Sequence, residues 1–126
     1  MTKEAFQIEY VLRKGSANLL WKLISTPSGL AEWFADDVDQ RDELFTFYWD
    51  KSSQEAERIS QCQGKYMRFH WVDEPDNYYF EMRIEQSDLT GDTVLRITDF
   101  AEPSELSSST ELWNTQIEIL TRRTGL

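Results

Sequence analysis

Five carboxylates stand within eight residues, at Asp36, Asp37, Asp39, Asp42 and Glu43. Oxygen donors at that density are what a hard cation such as calcium requires. The run lacks the central glycine and the distal bidentate Glu of a helix–loop–helix calcium site, so it reads as a solvated acidic loop and no metal is assigned. His70 is the single histidine, and an imidazole can move a proton near neutral pH. Its place between Phe69 and Trp71 turns it outward beside Arg68, and no Ser or Cys nucleophile is spaced to meet it. One histidine and the lone Cys62 cannot complete a structural zinc site. Cys62 itself reads as a packing residue rather than a reactive thiol. No acid, base and nucleophile converge, so no catalytic residue and no cofactor is assigned. A cyclase- or hydrolase-like enzyme is the lowest-ranked reading.

Two other groups carry chemistry of a different kind. Arg68, Arg83 and Arg96 alternate in register with Glu81 and Glu85 on consecutive strands, an arrangement that makes cross-strand ion pairs or a charged docking face. Gln116 and Tyr10 are polar residues set within apolar stripes. Isolated polar groups in an apolar cleft orient a ligand whose affinity comes from burial.

The elements that must position these groups follow from periodicity. Residues 108–123 read as one amphipathic helix, in which Leu112, Trp113, Ile117, Ile119 and Leu120 fall within about 160° of one another, with Gln116 among them. Ser108 and Glu111 make a capping box at its start. Arg122, Arg123 and Gly125 fit its end. Phe6, Ile8, Tyr10 and Leu12 have the period of a strand, ended at Lys14-Gly15. Ser16 caps a short helix to Ile24, and Thr26-Pro27 opens another that delivers Leu30, Trp33 and Phe34. From Glu43 the period is two. Its inward residues are Phe45, Phe47 and Trp49, then Met67, Phe69 and Trp71, then Phe80, Met82 and Ile84, and finally Leu95 and Ile97. Residues 55–63 form the weakest of these strands. Residues 101–107 link the last strand to the helix.

A length of 126 residues suits one domain. The net charge of −10, with no clustered cations, argues against nucleic acid. No run approaches the ~18 apolar residues of a membrane span. The opening MTKEAFQIEY has no signal-peptide pattern, and one cysteine fits a reducing compartment. A cytoplasmic protein is expected.

The order of elements, with Thr26-Pro27, Leu30 and Trp33-Phe34 after the first strand, Phe69-His70-Trp71, Thr93 to Thr98, and a last helix carrying Trp113, Ile117 and Leu120, resembles the helix-grip superfamily of START and birch-pollen-allergen-like proteins, also called SRPBCC. Within it the chain looks most like small bacterial START-like proteins and heat-shock ATPase activator homologues. The resemblance implies an α+β helix-grip fold over 1–126: a curved antiparallel sheet of about six strands around a long C-terminal helix, with two short helices after the first strand. It also implies non-catalytic binding of a small hydrophobic ligand, lipid or aromatic, between sheet and helix. The cleft-lining residues expected are Tyr10, Trp33, Phe47, Trp49, Phe69, Trp71, Phe80, Met82, Trp113, Gln116, Ile117 and Leu120. The alternative is a protein-interaction or co-chaperone-like module whose core is filled.

Overall fold

The computed structural model describes residues 2–12 and 16–126; the strand end expected at Lys14-Gly15 lies outside them. Strand β1 (Glu4–Leu12) is followed by helices α1 (Ala17–Ser25) and α2 (Pro27–Leu30). Six strands come next: β2 (Asp37–Arg41), β3 (Leu44–Trp49), β4 (Ser52–Cys62), β5 (Tyr66–Trp71), β6 (Phe80–Gln86) and β7 (Thr93–Ala101). A 3₁₀ turn at Pro103–Glu105 leads into α3 (Leu106–Thr124). All strand pairs are antiparallel, in the order β1-β7-β6-β5-β4-β3-β2. This is the α+β helix-grip architecture expected, with a seventh strand.

That strand corrects the reading of the acidic segment. Asp37 and Asp39 are exposed on β2, which pairs with β3, and Asp42 takes a positive φ of 54° in the tight connection before Leu44. An Asp tolerates that left-handed position better than most residues. Carboxylates on an edge strand also discourage pairing with a second chain.

The short helices start as their sequences demand. The Ser16 side chain accepts from the Leu19 N–H, and the Thr26 side chain accepts from the Gly29 N–H ahead of Pro27. The last helix starts earlier than its Ser108-Glu111 box suggests. Its N-cap is Glu105, with no side-chain cap bond, and Ser108 Oγ instead donates to the Glu105 carbonyl. Pro103 sits at the head of the preceding 3₁₀ turn, so the chain is already turning five residues before the expected start. Gly125 closes the helix at φ 77°, its N–H donating to the Thr121 carbonyl.

Alternation places Phe45, Phe47, Met67, Phe69, Phe80, Met82, Leu95 and Ile97 on the covered face, each at most 1% exposed. Burial of such a side chain contributes about 1.5–3 kcal/mol. Leu20, Leu23, Ile24 and Leu30 of α1 and α2 join that core, as do Trp113, Ile117 and Leu120 of α3. On β4 the pairing with β5 shifts between Arg58 and Ser60, and Ile59 is left 47% exposed beside that irregularity.

The opposite face of the sheet carries the expected ion pairs. Glu81 takes Arg68 at 2.8 Å and Arg83 at 3.0 Å, while Arg96 lies 2.9 Å from Glu85. Arg68 also stacks over Tyr79 and Arg83 over Tyr66. Burial alone would raise the Glu81 carboxyl, but the two guanidinium groups outweigh it and hold it below the usual carboxylate range.

Candidate functional site

Inward alternation ends β3 on Trp49 and β5 on Trp71. Trp49 pairs with Ser52 across the β3–β4 turn, and Trp71 pairs with Ala56 of β4, so both indoles come to the same end of the sheet. α2 is followed by a turn that brings Phe34 beneath them. Its ring centroid lies 6.2 Å from that of Trp49, 6.5 Å from that of Trp71 and 5.7 Å from that of Trp113 on α3. Continuing the β7 alternation beyond Leu95 and Ile97 puts Asp99 on the same inner face. Together these residues surround an open cleft of about 410 Å³, lined by Phe34, Trp49, Ser52, Gln54, Trp71, Asp99, Leu112, Trp113 and Gln116. A second hollow of about 230 Å³ along α3 shares Phe34, Trp49, Leu112 and Gln116 with it and adds Trp33.

Trp49, Trp113, Gln116 and Asp99 of the cleft wall are held by hydrogen bonds. Trp49 Nε1 and Gln116 Nε2 both donate to the Phe34 carbonyl, each at 3.2 Å. Trp113 Nε1 donates to Asp99 Oδ2 at 2.8 Å, and the Phe100 N–H donates to Asp99 Oδ1 at 2.8 Å. Burial nevertheless pushes the Asp99 carboxyl above its ordinary value. The Trp113 and Phe100 donors, and the charge of Lys3, pull the other way without prevailing.

A carboxyl whose folded pKa is raised binds its proton more tightly in the native state, so its contribution to stability falls as pH rises from the unfolded value, about 3.9, through the folded one. Asp99→Asn removes that titration while keeping one acceptor oxygen for Trp113. Thermal melts from pH 3 to pH 7 are expected to show the variant gaining on the wild type as pH rises. A difference that stays constant with pH would contradict the burial argument.

The twelve residues expected in the cleft separate into groups. Trp49, Trp71, Trp113 and Gln116 line the larger space, and Trp33 lines the smaller. Phe47, Phe69, Phe80, Met82, Ile117 and Leu120 pack in the closed core. Tyr10 stands apart, its hydroxyl donating to Asn114 Oδ1 at 2.6 Å. Sequence reading did not place Phe34, Ser52, Gln54 or Asp99 at the site. Carrying the β7 alternation two residues further would have found Asp99. Leu112, counted in the apolar face of the helix, is 62% exposed at the mouth of the cleft.

Elsewhere, a depression of about 440 Å³ lies between Glu9, Val11, Glu85, Gln86, Ser87, Thr90, Asp92, Val94 and Arg96. It has no aromatic wall. His70 has its Nδ1 at 2.7 Å from the Tyr78 carbonyl. Among the described residues, no helix is long and apolar enough to cross a membrane.

A family model described as START-like superfamily domain matches residues 1–126. A Bacteroides fragilis protein with a solution NMR structure is 42% identical, with a TM-score of 0.70 over 97% of this chain and 91% of its own. The Aha1 dimer of Colwellia psychrerythraea has the same fold at 13% identity, with a TM-score of 0.78 and coverage of 97% and 98%. So does CalU16 from Micromonospora echinospora, at 16% identity and a TM-score of 0.72 over 95% of this chain and 75% of its own. A comparison with curated protein sequences finds no match.

Proposed function

The chain belongs to the START-like superfamily, and on that premise we propose that it binds a small ligand of aromatic size, without transforming it, in the cleft between the ends of β3 and β5 and helix α3. The observation that carries this reading is the wall of the cleft: three indoles and Phe34 around about 410 Å³ of open space, within the roughly 300–1,000 Å³ of small-molecule sites. The interior behind that wall is filled by Phe45, Phe47, Phe69 and Phe80. That packing favours a compact aromatic over a long acyl chain. The single, half-buried Cys62 thiol supports a reducing, cytoplasmic setting.

Thermal denaturation with a panel of compact aromatics and long-chain fatty acids tests the idea. A fitting aromatic stabilises the fold by about 2.7 kcal/mol at a hundred times its Kd, and fatty acids give no shift. Trp49→Ala removes the effect in protein that still melts cooperatively. No stabilisation by any aromatic would overturn the proposal. It would leave the second reading, a protein-interaction module, which the filled interior and the exposed Leu112 at the cleft mouth also support.

A further inference from the structure

Resting on the ligand-binding reading above, we propose that the molecule this cleft takes is a small organic cation, an ammonium group on a short aromatic or apolar body. Nine residues line the space; one, Asp99, is an acid and none is a Lys or Arg. The remaining polar groups of the wall, Ser52, Gln54 and Gln116, are neutral. An ammonium is attracted to the faces of Trp rings, and here Trp49 and Trp71 stand 6.5 Å apart, centroid to centroid, with their planes at 50°. Asp99 supplies the countercharge on the inner face of β7, held in place by Trp113 Nε1.

The charge around Asp99 is unbalanced in the same direction. Lys3 is the cation nearest to acting on it, but its ammonium is bonded to Glu74 at 2.6 Å. That single ammonium feels Glu74, Asp99 and Glu105 together, so three carboxylates share one positive charge. A carboxylate-bearing ligand would meet this field, and the chain's net charge of −10, with no cation in the cleft wall to offset it. Burial raises the Asp99 carboxyl; a cation beside it would oppose that push and favour the ionised carboxylate.

Three soluble probes of one shape separate the claims: 2-phenylethylammonium, 2-phenylethanol and phenylacetate, each titrated into the wild-type protein while the indole N–H signals of Trp49, Trp71 and Trp113 are followed by NMR. The ammonium is expected to bind about tenfold more tightly than the alcohol, the ratio that one cation–π contact and one partly screened ion pair provide. Phenylacetate is expected to bind most weakly. In Asp99→Asn protein the ratio of ammonium to alcohol affinity is expected to fall to about one. Equal or tighter binding of the alcohol by the wild type overturns the cation proposal and leaves the aromatic cleft standing. No shift with any probe overturns both. An Asp99→Asn protein that folds and still prefers the ammonium overturns the role given to Asp99, and if that variant does not fold, the wild-type comparison decides alone.

Discussion

Phe34→Ala is expected to destabilise the protein by about 3–5 kcal/mol, a large share of the roughly 5–15 kcal/mol that holds a domain together. Phe34 is 4% exposed, and its ring meets side chains of both the sheet and α3. Its edge contacts are with Trp33, Phe47 and Trp49, at centroid distances of 5.5, 5.0 and 6.2 Å. It stacks on Phe80 at 5.7 Å and Trp71 at 6.5 Å, and tilts against Trp113 of α3 at 5.7 Å. Truncation to Ala removes the sheet-side and helix-side contacts together and leaves a void beside the cleft that the neighbouring rigid rings cannot close. The backbone carbonyl that accepts from Trp49 and Gln116 survives the change, so the loss reports the ring. Urea unfolding measures it, and Phe34→Leu, which keeps most of the apolar volume, is expected to lose less than half as much. A loss below about 1.5 kcal/mol for the Ala variant would mean the cluster repacks, and the ring would then not be the joint between sheet and helix.

Phe34 also shows which parts of this molecule were legible in advance. Where the covered face of a strand carries large apolar residues, the pattern of residue types reports it, as with Phe45 and Phe47 on β3, Met67 and Phe69 on β5, Phe80 and Met82 on β6, and Leu95 and Ile97 on β7, all of them buried; alternation does not report that Val94 and Thr98 of β7 and Glu81 of β6 are buried too. β2 was missed because it is an edge strand with a single buried residue, Val38, between exposed Asp37 and Asp39. Its pairing with β3 supplies what its own composition lacks, so no local period announces it. The long helix was read too broadly for a related reason. Five apolar residues share a face on a helical wheel, but only Trp113, Ile117 and Leu120 are buried. Which part of an apolar stripe is covered depends on how the helix lies across the sheet, and a helical period carries no information about that. The same limit applies to the cleft. Phe47 and Trp49 are indistinguishable by alternation, yet one lies in the closed interior and the other at the open end, because position along the strand decides which side chains have a partner above them.

Gly29→Ala is the other substitution with a large expected effect, and two rules give opposite signs for it. By helix propensity Ala in α2 should gain up to about 1 kcal/mol over Gly. The structure reverses that sign. A Cβ at position 29 would overlap the carbonyl oxygen of Lys22 and stand 2.7 Å from Leu23 Cα, both of them backbone atoms of α1 that no side-chain rotation can move. The same carbonyl accepts from Thr26 Oγ1 at 2.7 Å, and Leu23 accepts from Trp33 Nε1 at 2.8 Å. Pushing α2 off α1 therefore strains the cap of one helix and the anchor of Trp33 at once. A net loss of about 2 kcal/mol or more is expected, at the upper part of the usual cost of overpacking, together with a shift of the Trp33 indole N–H signal in NMR spectra. A neutral or stabilised Gly29→Ala protein would show that α1 and α2 can part without cost, and propensity would then be the governing term. If the loss is found, the close approach at Gly29 is what fixes the turn after α2, and so determines where Phe34 meets the three indoles of the cleft.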